Sequence, residues 1–153
     1  MPEHMGIKVI VKNSRAGYDF FLEEKYEAGI VLQGTEVKSL RAGKATLTEA
    51  FVTVDNDGEA WIHNLVIPHY AFGNINNHVE NRKRKLLLHR DEINDINKRM
   101  AQKGLTLIPT QLYFKDSHVK CEIALAKGKK LYDKRDASAK KDLDRKLRQG
   151  NYE

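Results

Sequence analysis

The sequence predicts a mainly β protein, an OB-type antiparallel closed barrel with two or three inserted or flanking α-helices and a basic C-terminal tail. Three observations carry that expectation. Val119, Cys121, Ile123 and Leu125 alternate with Lys120, Glu122, Ala124 and Ala126, the period of two that a half-buried strand requires. Phe51–Val54 and Glu59–Leu65 are β-prone runs flanking Asp55-Asn56-Asp57-Gly58, which reads as a hairpin. Short runs of this kind recur between turn formers to give five or six strands, and so small an antiparallel set closes into a barrel that leaves few exposed edges.

Taken in order, Lys8–Lys12 is the first strand and Asn13–Gly17 breaks it. Tyr18–Leu32 mixes aromatic and apolar residues with Glu23, Glu24 and Glu27 without clean alternation, which predicts a bulge or break near Ala28-Gly29. Gly34–Lys44 reads as one short helix. Thr35 is placed to cap it, Glu36 suits its first turn and Arg41 its last, and Gly43 its left-handed exit. Val37 and Leu40 share a face that enters the core, leaving Lys38, Arg41 and Lys44 as a cationic ridge.

Ile67–Glu80, with Pro68, Gly73 and asparagines at 74, 76 and 77, is predicted as loop. Arg90 to about Gln102 carries Ile93, Ile96 and Met100 at helical spacing and stops at Gly104. Leu105–Ile108 and Gln111–Phe114 form a strand interrupted at Pro109, an edge or bulge position. The domain plan is a flexible start over 1–7, a barrel over 8–126, and a tail over 127–153 that is disordered alone and helical on a partner.

The chain has 153 residues, 41% hydrophobic and 31% charged, one domain's worth of charge-rich globular sequence. No apolar run approaches the length of a membrane span, and the first residues lack a signal-peptide core, so a cytoplasmic location is expected. A single cysteine, Cys121, excludes an internal disulfide. The net charge is +6, and residues 127–153 alone hold 10 Lys or Arg against 5 Asp or Glu. That asymmetry points to a polyanion, of which nucleic acid is the commonest.

The six histidines show no metal-ligand spacing, and no phosphate-cradling glycine loop or nucleophile elbow is present. Neither a metal, a cofactor nor a catalytic residue is therefore assigned, and no enzyme activity is expected. Arg82-Lys83-Arg84-Lys85 runs into Leu86-Leu87-Leu88, tying cations to an ordered element that can address phosphates at fixed positions. Asn76, Asn77 and His78 add uncharged donors for 2′-hydroxyls or base edges, and Tyr18 is a stacking candidate. The residues alone lead to an RNA-binding barrel with a basic tail. A general RNA-binding module and, less readily, a hydrolase using Glu27 remain open beside any sharper reading.

Several motifs sharpen it. Asn13-Ser14-Arg15-Ala16, Glu27-Ala28-Gly29-Ile30, Leu32-Gln33 with the helix that follows, Arg84–His89, and Ala126–Lys130 followed by Asp133-Lys134-Arg135 stand in one order along the chain. Together they resemble the small protein B family, the bacterial partner of transfer-messenger RNA (tmRNA) in trans-translation. The resemblance implies a monomeric barrel that binds the tRNA-like domain of tmRNA in place of a missing anticodon arm. It also implies a tail that enters the empty mRNA channel of a stalled 70S ribosome as a helix, with elongation factor Tu and alanyl-tRNA synthetase as indirect partners. By position it assigns Asn13, Arg15, Glu27, Glu36, Lys38, Arg84, Lys85 and Leu87 to the RNA face, beside Arg41, Lys44, Asn77, His78 and Arg82 from the cationic and polar stretches above. Leu87 is read either as a contact or as packing support. The ribosome side takes Tyr18, Gly128, Lys129, Lys130, Asp133, Lys134 and Arg135. Family members commonly carry His where this chain has Tyr18, so stacking at the decoding centre is kept while a cation is lost. The loop His78–Arg82 lacks the proline expected of the family.

Overall fold

The sheet closes through the pairing of two long late strands, one of which carries a proline at a bulge. The computed structural model describes residues 6–71 and 77–129, the side chain of Lys103 aside. The elements are β1 (Ile7–Lys12), α1 (Ala16–Asp19), β2 (Phe20–Ile30), α2 (Gly34–Arg41), β3 (Phe51–Val54), β4 (Ala60–His63), β5 (Arg84–Leu87), α3 (Arg90–Lys103), β6 (Thr106–Lys115) and β7 (His118–Gly128). Strands run antiparallel in the order β1-β6-β3-β4-β5-β2-β7, and β6 also pairs with β7. The ring β6-β3-β4-β5-β2-β7 is therefore closed, with β1 added outside it. β3 meets β6 at Leu107, whereas β1 pairs beyond that point, over Gln111–Lys115. Seven strands are present among the described residues rather than five or six.

Pro109 sits in the middle of β6, where a missing N–H would ordinarily break a ladder. The register against β7 shifts between Pro109 and Gln111, so the proline is absorbed at a bulge, as its position predicts. Asn13 satisfies the carbonyls the bulge frees. Its side-chain amide donates to Pro109 O at 3.0 Å and its backbone N–H to Thr110 O at 2.8 Å.

The core follows from alternation. Cys121, Ile123 and Leu125 of β7, Leu107 and Leu112 of β6, and Ile62, Leu65 and Ile67 are fully buried inside the ring. Burial pushes the Cys121 thiol up to about 12, which leaves no thiolate for chemistry. On the outer side Ala126 and Ile108 are covered by Ala16 of α1. This one-turn helix is unpredicted, since four residues are too few to show a 3.6-residue period.

The break expected near Ala28-Gly29 is not there. β2 continues through both residues to Ile30, and its register shift lies between Leu22 and Lys25. α3 covers this strand: Tyr26 donates its hydroxyl to Asp95 at 2.6 Å, while Ile93 and Ile96 are buried. Gly104 ends α3 at φ 64° and Gly43 follows α2 at φ 76°, the left-handed exits that glycine makes cheap. β7 runs two residues past the expected barrel boundary at Ala126, with Gly128 paired to Phe20. Residues 1–5 and 130–153, including Lys130, Asp133, Lys134 and Arg135, lie outside the described residues, as does Asn76.

Candidate nucleic-acid interface

The N-cap of α2 is Gln33, not Thr35, and the difference organises the region around it. Glu36 reaches back so that Oε1 accepts the Gln33 N–H at 2.8 Å, stabilising the first turn. The same carboxylate is fully buried and takes two guanidinium groups from 46 and 48 residues away. Arg82 donates from Nη2 to Oε1 at 2.6 Å and Arg84 from Nε to Oε2 at 2.6 Å. Burial alone would push the Glu36 carboxyl up. The donors, Arg82 first, then the Gln33 amide and Arg84, overcome it and hold the group below the usual carboxylate range. Burial draws Arg84 below its ordinary value against the pull of Glu36, yet a guanidinium stays charged.

Arg84 uses its remaining donors on backbone. Nη1 reaches Leu65 O at 2.7 Å and Arg82 O at 3.0 Å, and Nη2 reaches Glu80 O at 3.0 Å. A second tie lies beside it. His78 donates from Nε2 to Ile67 O at 2.7 Å, because a carbonyl only accepts, and its Nδ1 meets the Thr35 hydroxyl at 2.8 Å. Asn77 brackets the loop by bonding both N–H and C=O of Tyr70, at 2.9 and 2.8 Å. Ser39, buried on α2 and unremarked in the sequence, donates to Pro68 O at 2.7 Å. Its only signal was its position, four residues after Thr35 on the same helical face.

These contacts show where several of the expected RNA-facing residues lie. Glu36, Arg84 and His78 are buried and tie Ile67, Glu80 and Arg82 to α2. Asn77 spends its amide on the loop. Arg82 is committed to Glu36, and Lys85 pairs with Glu59 at 2.9 Å. The run 82–85 is thus a mount more than a row of free cations. Leu87 is exposed and its side chain lies over Gly29 of β2, with Leu86 the buried neighbour.

The ridge itself is where the spacing puts it. Lys38, Arg41 and Lys44 are exposed on α2 and just beyond, and no carboxylate among the described residues pairs with them. Lys38 lies 5.4 Å from the Tyr70 ring centroid, so the loop also helps to orient it. Glu27 is half-exposed on β2, where the Tyr113 hydroxyl, chiefly, and Lys115 at 3.2 Å hold its carboxyl below the usual range.

A second group forms at the far end of β2, roughly 33 Å of strand away. Here residues more than a hundred positions apart meet. Lys129 donates its backbone N–H to Asp19 O and its ammonium to Gly17 O, each at 2.9 Å, and the ammonium also lies 4.9 Å from the Phe21 ring centroid. Arg15 bonds Asp19 at 3.2 Å and sits over the Tyr18 ring at 5.1 Å. Tyr18, Gly128 and Lys129 therefore share one end of the barrel, at the root of the basic tail. Asn13, nearer the middle of the barrel, holds the β6 bulge opposite Ile123 and Glu122 of β7.

Among the described residues no cluster of three His, Cys, Asp or Glu is arranged to hold a metal ion, and no helix is long and apolar enough to cross a membrane. A family described as SmpB protein matches residues 10–152. An SsrA-binding protein of Pelobacter propionicus is 57% identical over 145 residues, covering 95% of each chain. One from Nocardioides is 54% identical over 149 residues, covering 97% of this chain and 93% of its own. A solved chain described under "tmRNA-SmpB: a journey to the center of the bacterial ribosome" superposes with a TM-score of 0.68 at 45% identity, over 84% of this chain and 93% of that one. With the seven strands and three helices of its described residues and this near full-length match, the chain belongs to the SmpB protein family.

Proposed function

We propose that this protein is a tmRNA-binding ribosome-rescue factor of trans-translation. The observation that carries the reading is the identity with SsrA-binding proteins along almost the whole of both chains. The geometry supports it. A cationic ridge on a helix that is locked by a buried ion-pair network presents charge at fixed spacing, which suits a folded RNA. We assign that end to the tRNA-like domain of tmRNA, with Lys38, Arg41 and Lys44 as contacts and Glu36, Arg84, His78 and Asn77 as the residues that hold them. Asn13 acts as a support in the same sense, and Glu27 and Leu87 are surface contacts.

The opposite end, with Tyr18, Gly128 and Lys129, belongs to the ribosome in this reading, while Arg15 beside Tyr18 is assigned to tmRNA. There Tyr18 stacks near the decoding centre, and the tail, with Lys130 and Asp133-Lys134-Arg135, enters the empty mRNA channel and becomes helical. The protein works as a cytoplasmic monomer without a cofactor and performs no catalytic step. Elongation factor Tu and alanyl-tRNA synthetase act on the tmRNA it carries. Separating the two ends by one long strand lets the protein grip tmRNA and the ribosome at once.

Reconstituted tagging of stalled ribosomes tests the division of labour. A chain ending at Lys130 keeps β7 and the Lys129 anchor, and should bind tmRNA like the full chain yet tag nothing. Tagging by that shortened chain at the full-length level would refute the assignment.

A further inference from the structure

The outward side of β3, β4 and β5 carries groups suited to nucleic acid that the α2 region does not use. Strand alternation turns Phe51, Trp61, His63 and Lys85 to this side while Val52, Ala60, Ile62 and Leu86 enter the core. Phe51 and His63 are directly opposite in register, and their rings lie face to face with centroids 4.8 Å apart and planes within 12°. The Trp61 indole N–H donates to Asp55 at 3.0 Å, which fixes the plane of that ring. The Lys83 ammonium lies 4.6 Å from its centroid, and Lys85 stands opposite Trp61 in the next strand. Phe51 remains 41% exposed, a large apolar ring that the fold itself leaves uncovered.

We propose that this face is a stacking platform for unpaired RNA nucleotides, with a base on Phe51–His63 and the adjoining backbone phosphate on Lys83 above Trp61. The inference rests on the RNA-binding reading above and adds a single-stranded segment beside the folded RNA that α2 addresses. Three features favour this occupant. Flat rings held in fixed planes accept any base, whereas an apolar protein surface needs contoured packing. The Lys83 ammonium lies over the Trp61 ring, and the nearby carboxylates of Asp55 and Glu59 are already engaged by the Trp61 N–H and Lys85. Lys83 also directly follows Arg82, which docks on Glu36, so the platform begins one residue along the chain from the α2 network.

Trp61 is the protein's single tryptophan, so its emission reports on this face alone. The experiment is a fluorescence titration of the full-length chain with an eight-nucleotide oligouridylate. Saturable quenching is expected, weakened about tenfold or more by Phe51→Ala and less by Lys83→Gln. Lys38→Glu should leave that titration unchanged while lowering affinity for the tRNA-like fragment. Unchanged emission, or both platform variants titrating like the original chain, would overturn the proposal and leave the α2 reading intact. Quenching that tracks protein concentration without RNA would assign the face to self-association, and would overturn it too. If Lys38→Glu fails to affect the tRNA-like fragment while the platform variants behave as expected, the rescue reading loses its support and the platform stands. Lys83 is exposed, so Lys83→Gln keeps the test decisive even if Phe51→Ala does not fold.

Discussion

Replacing Arg84 by leucine would take one of two cations from a fully buried carboxylate and strip the donors from Leu65 O and Glu80 O. Breaking a buried pair in this way costs about 3–5 kcal/mol, so Arg84→Leu should lower the urea midpoint sharply. A variant as stable as the original chain would mean that the network contributes nothing net. Glu36 gives the complementary pH test. Its folded value lies below the unfolded one of about 4.3, so its contribution is complete at neutral pH and is lost as the pH falls through the folded value. Glu36→Gln should flatten the stability profile across that acid window, measured by urea unfolding at successive pH values. An unchanged slope would place the acid sensitivity elsewhere.

At the scale of elements the β3–β4 hairpin is the most self-contained unit. The Asp55 carboxylate accepts the Glu59 N–H at 2.9 Å, the Trp61 indole at 3.0 Å and the Asp57 N–H at 3.0 Å, which together hold it below its usual range. Asp55→Ala should lower the urea midpoint slightly and free the indole, seen as a fall in the polarisation of tryptophan emission. Unaltered polarisation would mean that packing alone holds Trp61. This hairpin was legible because its turn chemistry is local, and so was α3, with its apolar stripe and left-handed Gly104. β2 was misread at Ala28-Gly29. A glycine there suggests a break, yet Gly29 lies opposite Leu87 within an unbroken ladder, a pairing that only the tertiary fold supplies. Glu36 failed in the same way: its first-turn position was readable, while its partners lie 46 and 48 residues on. Charge in a sequence shows where cations are, not which of them the fold spends internally.

For the whole molecule the account separates a charged, rigid α2 end from a tail root at the other end of β2. Lys38→Glu, Arg41→Glu and Lys44→Glu are surface changes that should leave circular dichroism unaltered. Each should weaken RNA binding, and each lost phosphate contact should reduce the slope of log K against log salt by about 0.7–0.9. An unaltered slope would remove α2 from the interface. The cationic ridge and the basic tail were visible in the sequence because charge and helical spacing are local properties. The meeting of Gly17 and Asp19 with Lys129 was not, because it depends on β2 pairing with β7 over nearly their full lengths. The most direct test of the central claim is a binding titration of the full chain against the tRNA-like fragment of tmRNA and an ordinary tRNA across a salt series. The account predicts a preference for the tmRNA fragment that persists as salt rises, because contacts on a rigid mount read shape as well as charge. Equal binding to both RNAs, lost together at high salt, would contradict it and leave only a basic RNA-binding barrel.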